Sequence, residues 1–147
     1  MGKVTVITGG TSGIGRGIAE KILAESAAED RVFVTYGHNE DKAQAFLENL
    51  PLEKRSQVIL MKADMSSYED MMDFVAELKD QADHIDWLVS NAGVSTYAKY
   101  EDYTFEEWTR IVNTNLSVPV FMVKELRPMM SEGGSILFTG SYAGQQA

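Results

Sequence analysis

The chain has 147 residues, of which 44% are hydrophobic and 24% charged, and its formal net charge at pH 7 is -9. This length supports one domain with a sufficient core, and the composition excludes a disordered or collagen-like chain. The absence of cysteine excludes disulfides and thiolate metal sites, and so strong an acidic excess argues against binding to nucleic acid or to anionic membranes.

The amino terminus carries no recognisable targeting signal. Its opening residues, MGKVTVITGG, hold too short an apolar run for a signal peptide, and no stretch of about 18 apolar residues follows. We therefore expect a cytoplasmic protein. His38 and His84 show no metal-ligand spacing, so no metal site is expected.

The first element is a buried strand that contains Val4, Val6 and Ile7. A glycine-rich turn follows at residues 9–15. Apolar residues then recur at helical spacing, which predicts a first helix over residues 14–24.

The second strand is predicted over Arg31–Tyr36, which is rich in β-branched and aromatic residues. Asn39 is a candidate N-cap for the second helix, which should extend to about Asn49 and end before Pro51. A third apolar strand is predicted over residues 57–61.

A third helix begins after Ser66 or Ser67, either of which can cap it. The residues predicted to face inward are Met72, Val75, Ala76 and Leu78. A short apolar fourth strand follows over residues 87–89.

The longest predicted helix is capped by Thr104 and runs past Asn115 toward Leu126, with Pro119 kinking or interrupting it. A fifth strand is predicted over residues 135–139. Five strands alternating with four helices indicate an α/β fold, a Rossmann-like doubly wound parallel sheet in a single domain over residues 1–147.

The glycine turn between the first strand and helix has the spacing Gly9-x3-Gly13-x-Gly15. Backbone without Cβ lets phosphate oxygens approach, and the following helix start offers free N–H groups and a positive dipole end. Gly15 would also let the helix pack close to the strand. An ordinary βα turn is the alternative, and the lack of a following Gly-Lys-Ser/Thr excludes a P-loop nucleotidase.

Together with this turn, four further motifs in order along the whole chain resemble the classical short-chain dehydrogenases/reductases. The five are Thr8-Gly9-x3-Gly13-x-Gly15, Asp64, Asn91-Ala92-Gly93, Asn115 and Ser141. Each motif alone is modest, but five in the right order are specific. The resemblance implies an NAD(P)-dependent oxidoreductase that transfers hydride between nicotinamide and a carbonyl or alcohol substrate. It also implies a homo-oligomer.

The resemblance also implies roles for individual residues. Asn115 would hold a water for a proton relay, and Ser141 would donate a hydrogen bond to a substrate carbonyl; the alternatives are a helix-kink residue and a turn serine. Asp64 would meet the adenine, unless it only leads a helix. The implied cofactor-binding residues are Gly9, Thr11, Ser12, Gly13, Ile14, Gly15, Tyr36, Asp64, Met65, Asn91, Ala92 and Gly93.

The sequence departs from the family in one essential feature, because it contains no Tyr-x-x-x-Lys pair, and it ends at Ala147, six residues after Ser141. In the family this tyrosine is the general acid/base and the lysine lowers its pKa. We therefore expect the amino-terminal half to two-thirds of an enzyme, truncated after its fifth strand and inactive alone. The alternative is a catalytically inert cofactor-binding or interaction module.

The cofactor type is indicated by the residues after the second strand, which read Thr35-Tyr-Gly-His-Asn39 with no acid before Glu40. An acid at this position binds the ribose hydroxyls in NAD sites, so its absence permits a 2′-phosphate. Arg16 could reach that phosphate or could be a solvated helix residue. We expect NADP, with NAD as the alternative.

Overall fold

Five parallel strands form the central sheet of the computed structural model, which describes residues 1–142. They are β1 (Val4–Ile7), β2 (Arg31–Tyr36), β3 (Val58–Lys62), β4 (Ile85–Ser90) and β5 (Met130–Phe138). Their order is β3-β2-β1-β4-β5, so the direction of winding reverses between β1 and β4. This is the predicted doubly wound sheet, although β4 and β5 are longer than the sequence indicated.

Helices connect the strands on both faces of the sheet. They are α1 (Gly13–Glu25), α2 (Glu40–Asn49), α3 (Leu52–Arg55), α4 (Tyr68–Gln81), α5 (Phe105–Val112) and α6 (Val118–Leu126). The sequence pattern did not predict α3, a single turn directly after Pro51. Within residues 1–142, none of these helices has the length and apolar character needed to cross a membrane.

Side-chain caps fix the starts of three helices. The Lys42 amide donates to Asn39 Oδ1 over 2.9 Å, and the Glu107 amide donates to Thr104 Oγ1 over 3.1 Å. At α4 the cap is Ser67, whose Oγ accepts from the Asp70 amide over 3.2 Å. The predicted caps at Asn39 and Thr104 are therefore confirmed, and Ser67 caps α4 in preference to Ser66.

Two of the four residues predicted to face inward on α4, Val75 and Leu78, are buried, and the other two are not. The buried residues are Met71, Phe74, Val75 and Leu78, which follow the i, i+3, i+4, i+7 pattern. Met72 is only half-buried, and Ala76 is exposed. The predicted inward position of Ala76 is wrong because the apolar stripe is centred on Phe74 and Val75.

The predicted long helix is divided into α5 and α6 by a π-helical turn over Asn113–Ser117. Pro119 lies in the first turn of α6, where it cannot donate a backbone hydrogen bond to the preceding turn. The interruption therefore precedes the proline. Such π turns are often found at functional sites.

Alternate side chains of the strands enter two separate cores. On one face, Val6 and Phe33 pack with α4 and α6; on the other, Ile7 and Val34 pack with α1 and α2. Both faces of the inner strands are thus covered by helices. Because the strands are parallel, their carboxyl ends meet at one edge of the sheet. β5 is an edge strand within the described residues, and its Phe138 is 56% exposed.

Candidate functional site

A cleft of ≈ 380 Å³ lies at the carboxyl ends of the strands. It adjoins the boundary between β1 and β4, where the winding reverses and where open α/β sheets bind ligands. The residues that line it come from the glycine turn and from the segments after β2, β3, β4 and β5: Gly9, Ser12, Ile14, Thr35, Gly37, Ala63, Met65, Asn91, Ala92, Gly93, Val94, Thr114 and Thr139.

Two glycines of the turn have left-handed backbone conformations, with φ of +63° at Gly9 and +54° at Gly13. A third, Gly15, has an ordinary φ but no space, since a Cβ there would overlap Gly9 O and Asn91 Nδ2. At Gly9 a Cβ would lie 3.1 Å from Ala92 Cα. The turn therefore requires glycine for two different reasons, backbone conformation and close approach.

The start of α1 presents backbone donors to this cleft. Its first intrahelical hydrogen bond runs from the Arg16 amide to Ser12 O over 3.1 Å, so the preceding amides of Gly13, Ile14 and Gly15 have no intrahelical partner. Within the described residues, the Ser12 side chain makes no capping bond, and the first turn contains no acid. The amides and the positive dipole end are thus available to an anion.

Asn91 joins the ends of three strands through its side chain. Its Nδ2 donates to Thr8 O and to Gly9 O, each over 3.2 Å, and its Oδ1 accepts from Thr139 Oγ1 over 3.0 Å. Thr8 Oγ1 in turn accepts from the amides of Asn91 and Ala92, both over 3.0 Å. These bonds hold the segment after β4 against the glycine turn.

Two threonines of the site, the buried Thr35 and the exposed Thr139, were not predicted. Thr35 is 0% exposed, and its Oγ1 accepts from the Gly9 amide over 3.1 Å, while its carbonyl accepts from the Gly10 amide. Thr139 orients Asn91 as described above. A threonine at a strand end is common, and no local spacing distinguishes these two.

Asp64 lies at the adjoining rim of the cleft, after β3. Its Oδ1 accepts from the amide and the hydroxyl of Ser66 over 2.8 Å and 2.7 Å, and its Oδ2 lies 3.0 Å from His38 Nε2. Burial alone would raise the pKa of Asp64, but the hydrogen bonds from Ser66 and the nearby His38 bring that pKa below its usual value. The carboxylate is therefore ionised at neutral pH.

Asn115, in the π turn, holds the segment after β4 from its other side. Its Oδ1 accepts from the Val94 amide over 2.9 Å, and its Nδ2 donates to Val94 O over 2.8 Å. Both Asn115 and the exposed Ser141 line a second depression of ≈ 600 Å³, which shares Ile14 and Ala92 with the first. The structure thus brings the two predicted catalytic residues beside the predicted cofactor residues.

The predicted cofactor residues divide into two groups. Those that line the first cleft are Gly9, Ser12, Ile14, Met65, Asn91, Ala92 and Gly93. The residues that do not line it are Thr11, Gly13, Gly15, Tyr36 and Asp64. Of these, Tyr36 ends β2, and its carbonyl accepts from the Ala63 amide over 2.9 Å. Their roles in binding stay predictions.

A family model described as short chain dehydrogenase matches residues 3–147. Over 134 residues the chain is 33% identical to an acetoacetyl-CoA reductase of Rhizobium meliloti, a match that covers 91% of this chain and 52% of that protein. It is 32% identical over 140 residues to versicolorin reductase 1 of Aspergillus parasiticus, covering 95% and 52%. The chain spans about half the length of these curated relatives.

Solved structures with cofactor bound also superpose on this chain. A short chain dehydrogenase from Burkholderia cenocepacia in complex with NADP superposes with a TM-score of 0.87 at 26% identity, covering 99% of this chain and 58% of that one. The protein BdcA in complex with NADPH superposes with a TM-score of 0.84 at 25% identity, covering 100% and 55%.

Replacing Gly15 with alanine tests the close approach at the glycine turn. We expect Gly15→Ala to lower the free energy of unfolding by about 2 kcal/mol or more, because the added methyl must displace backbone and Asn91. The matched control is Gly17→Ala, in the same helix with open space around it, which should stabilise by up to about 1 kcal/mol. Urea unfolding measures both, and equal effects of the two substitutions would contradict this packing.

Proposed function

This chain belongs to the short-chain dehydrogenase family, and from that premise we propose that its 147 residues form a single dinucleotide-binding domain of an NAD(P)-dependent oxidoreductase. The reaction proposed for the whole enzyme is hydride transfer between nicotinamide and a small carbonyl or alcohol substrate. Support comes from the two relatives, both of which are named as reductases.

The observation that carries this proposal is the open start of α1 beside the cleft. Three backbone amides without intrahelical partners, no acid in the first turn and glycines at the points of closest approach form a cradle for a diphosphate. Ile14, 67% exposed at the cleft wall, adds an apolar surface that a bound dinucleotide would cover. This donor set fits a nicotinamide dinucleotide, whose diphosphate is anionic and whose flat rings can pack against apolar side chains.

The two depressions suggest how the cofactor would extend from this cradle. Asp64 and Met65 would contact the adenine end, while Ala92 and Gly93 would allow the second ribose to approach the backbone. The nicotinamide supplies or accepts the hydride when bound. Ser141 would donate a hydrogen bond to the substrate oxygen. Asn115 would position Val94 and would hold a water with its second Nδ2 hydrogen.

We propose NADP as the preferred cofactor, with NAD as the alternative. No acid follows β2 before Glu40, so nothing in that connection occupies the place where an acid binds the ribose hydroxyls of NAD. The NADP and NADPH complexes among the structural neighbours support the same preference.

A second candidate function is that of a cofactor-binding module without catalysis. It is favoured by one observation, that no tyrosine among the 147 residues is followed by lysine at the fourth position. The retention of Asn115 and Ser141 beside the cleft favours the enzyme.

We propose that the whole protein is a cytoplasmic homo-oligomer that acts on a small-molecule substrate and binds no nucleic acid. The net charge of -9 supports the last point, because such a surface repels phosphate backbones. Exposed apolar side chains on α5 and α6, including Phe105 at 84% and Val120 at 54%, support association between subunits.

Replacing Ser12 with aspartate separates cofactor binding from folding. Aspartate is a good N-cap, so Ser12→Asp should leave the melting temperature unchanged or raise it. Its carboxylate would nevertheless compete for the amides of Gly13 to Gly15 and repel a diphosphate, so the Kd for NADPH should rise at least about tenfold. Fluorescence titration with NADPH measures this Kd.

The matched control for that experiment is Ser12→Ala, which adds no charge and leaves the amides open. It should bind NADPH within about threefold of the unaltered chain. Equal affinity of the aspartate variant and the unaltered chain would show that the start of α1 is not where the diphosphate binds.

The lack of the tyrosine–lysine pair gives a separate prediction about turnover. With NADPH and a panel of ketones, the 147-residue chain should bind the cofactor but should oxidise none of it, because its sequence contains no tyrosine–lysine pair to supply the proton. Absorbance at the NADPH band measures the rate. Ketone-dependent oxidation would show that the pair is not required.

A further inference from the structure

The π turn between α5 and α6 carries two asparagines that bond to different segments of the cleft wall. Asn115 bonds to Val94, after β4, as described above. Asn113, two residues earlier, donates from Nδ2 to Ser66 O over 3.3 Å, in the segment after β3. Residues two apart on a helix do not face the same side, so this one turn can contact both segments. The sequence pattern did not single out Asn113.

Thr114, between the two asparagines, lines the cleft itself and is 5% exposed. Its hydroxyl donates to Arg110 O over 2.8 Å, within the preceding helical turn. The hydroxyl hydrogen of Thr114 is therefore already used inside the helix. The π turn bonds to the two neighbouring segments through the amide groups of its asparagines.

The segment that Asn113 contacts carries two of the residues predicted to bind the cofactor. Ser66 donates to Asp64 Oδ1 from both its amide and its hydroxyl, and Met65, 7% exposed, lines the cleft. The residue whose carbonyl accepts from Asn113 is thus the same residue that orients the Asp64 carboxylate. A hydrogen bond to this carbonyl restricts the position of the whole segment, as supporting residues around a binding site do.

We propose that Asn113 is a positioning residue for the adenosine half of the dinucleotide, because its bond to Ser66 O holds Asp64 and Met65 in the place where adenine binds. This inference rests on the proposed function, which puts the adenine end at these two residues. Asn113 is not among the described residues that line either depression, so its effect on the ligand passes through this segment. A segment held before binding need not be ordered by the ligand, which lowers the entropic cost of binding.

Two ligands that share a diphosphate separate the adenosine half from the rest of the site. ADP carries adenosine, and inorganic pyrophosphate does not. Asn113→Ala should raise the Kd for ADP at least about threefold, since one hydrogen bond contributes a factor of this order, and should change the Kd for pyrophosphate less than about twofold. Isothermal titration calorimetry of the 147-residue chain measures both constants. A merely structural role would not move one constant without the other.

The matched control is Asn49→Ala, which removes the same kind of bond in another part of the chain. Asn49 ends α2, and its Nδ2 donates to the backbone carbonyl of Ala45 over 2.7 Å. This substitution should leave the Kd values for ADP and pyrophosphate within about twofold of those of the unaltered chain.

A combined variant tests whether Asn113 acts through the segment after β3. If it does, Asn113→Ala should raise the Kd for ADP by a smaller factor in an Asp64→Ala chain than in the unaltered chain. Independent contributions of the two residues would instead multiply.

A measurement on the unaltered chain requires no substitution at all. The Nδ2 hydrogens of Asn113 give their own NMR signals, which should shift when ADP is added, because adenine would contact the segment to which they are bonded. The same signals should stay in place when pyrophosphate is added.

The outcomes separate this inference from the proposed function. Four results would overturn the role of Asn113 and leave the proposed function in place: a Kd for ADP that rises less than threefold in folded Asn113→Ala, an equal loss of pyrophosphate affinity, multiplying effects with Asp64→Ala, or side-chain signals of Asn113 that do not respond to bound ADP. Failure of the unaltered, folded chain to bind ADP, pyrophosphate or NADPH would overturn both.

Discussion

The close approach of the first turn of α1 to the ends of β1 and β4 is the physical constraint on which the rest of the site depends. Gly15 lies against Gly9 O and Asn91 Nδ2 with no space for a methyl group. Because the helix starts this close to the sheet, its unpaired amides lie at the cleft. A bulkier residue would move the helix dipole away from any bound anion.

Hydrogen bonds between strand ends hold the remaining site residues in place. Asn91 is bonded to the ends of β1 and β5, and Asn115 clamps Val94 from the π turn. The segment between them is therefore fixed at both ends, although it belongs to no helix or strand. Such a backbone can approach a cofactor closely without first having to become ordered, which lowers the entropic cost of binding.

Local patterns predicted the strands, their doubly wound arrangement and the glycine turn, because each depends on neighbouring residues. The buried stripe on α4 was predicted correctly at Val75 and Leu78 but not at Met72, since Met71 and Met72 are equally apolar and only packing distinguishes them. Thr139 and His38 were missed because their partners are 48 and 26 residues away in sequence. Contacts of that kind arise from the topology of the sheet and produce no recognisable residue spacing in the sequence.

Amide chemical shifts of the chain, recorded while NADP is added, test most directly whether the start of α1 is the anion site. If the diphosphate binds there, the largest shifts occur at Gly13, Ile14 and Gly15, with smaller shifts at Ala92 and Gly93. Amides at the opposite ends of the strands, such as Val4, should not move. Saturable shifts that bypass Gly13 to Gly15, or no shifts at millimolar NADP in the folded chain, would contradict it.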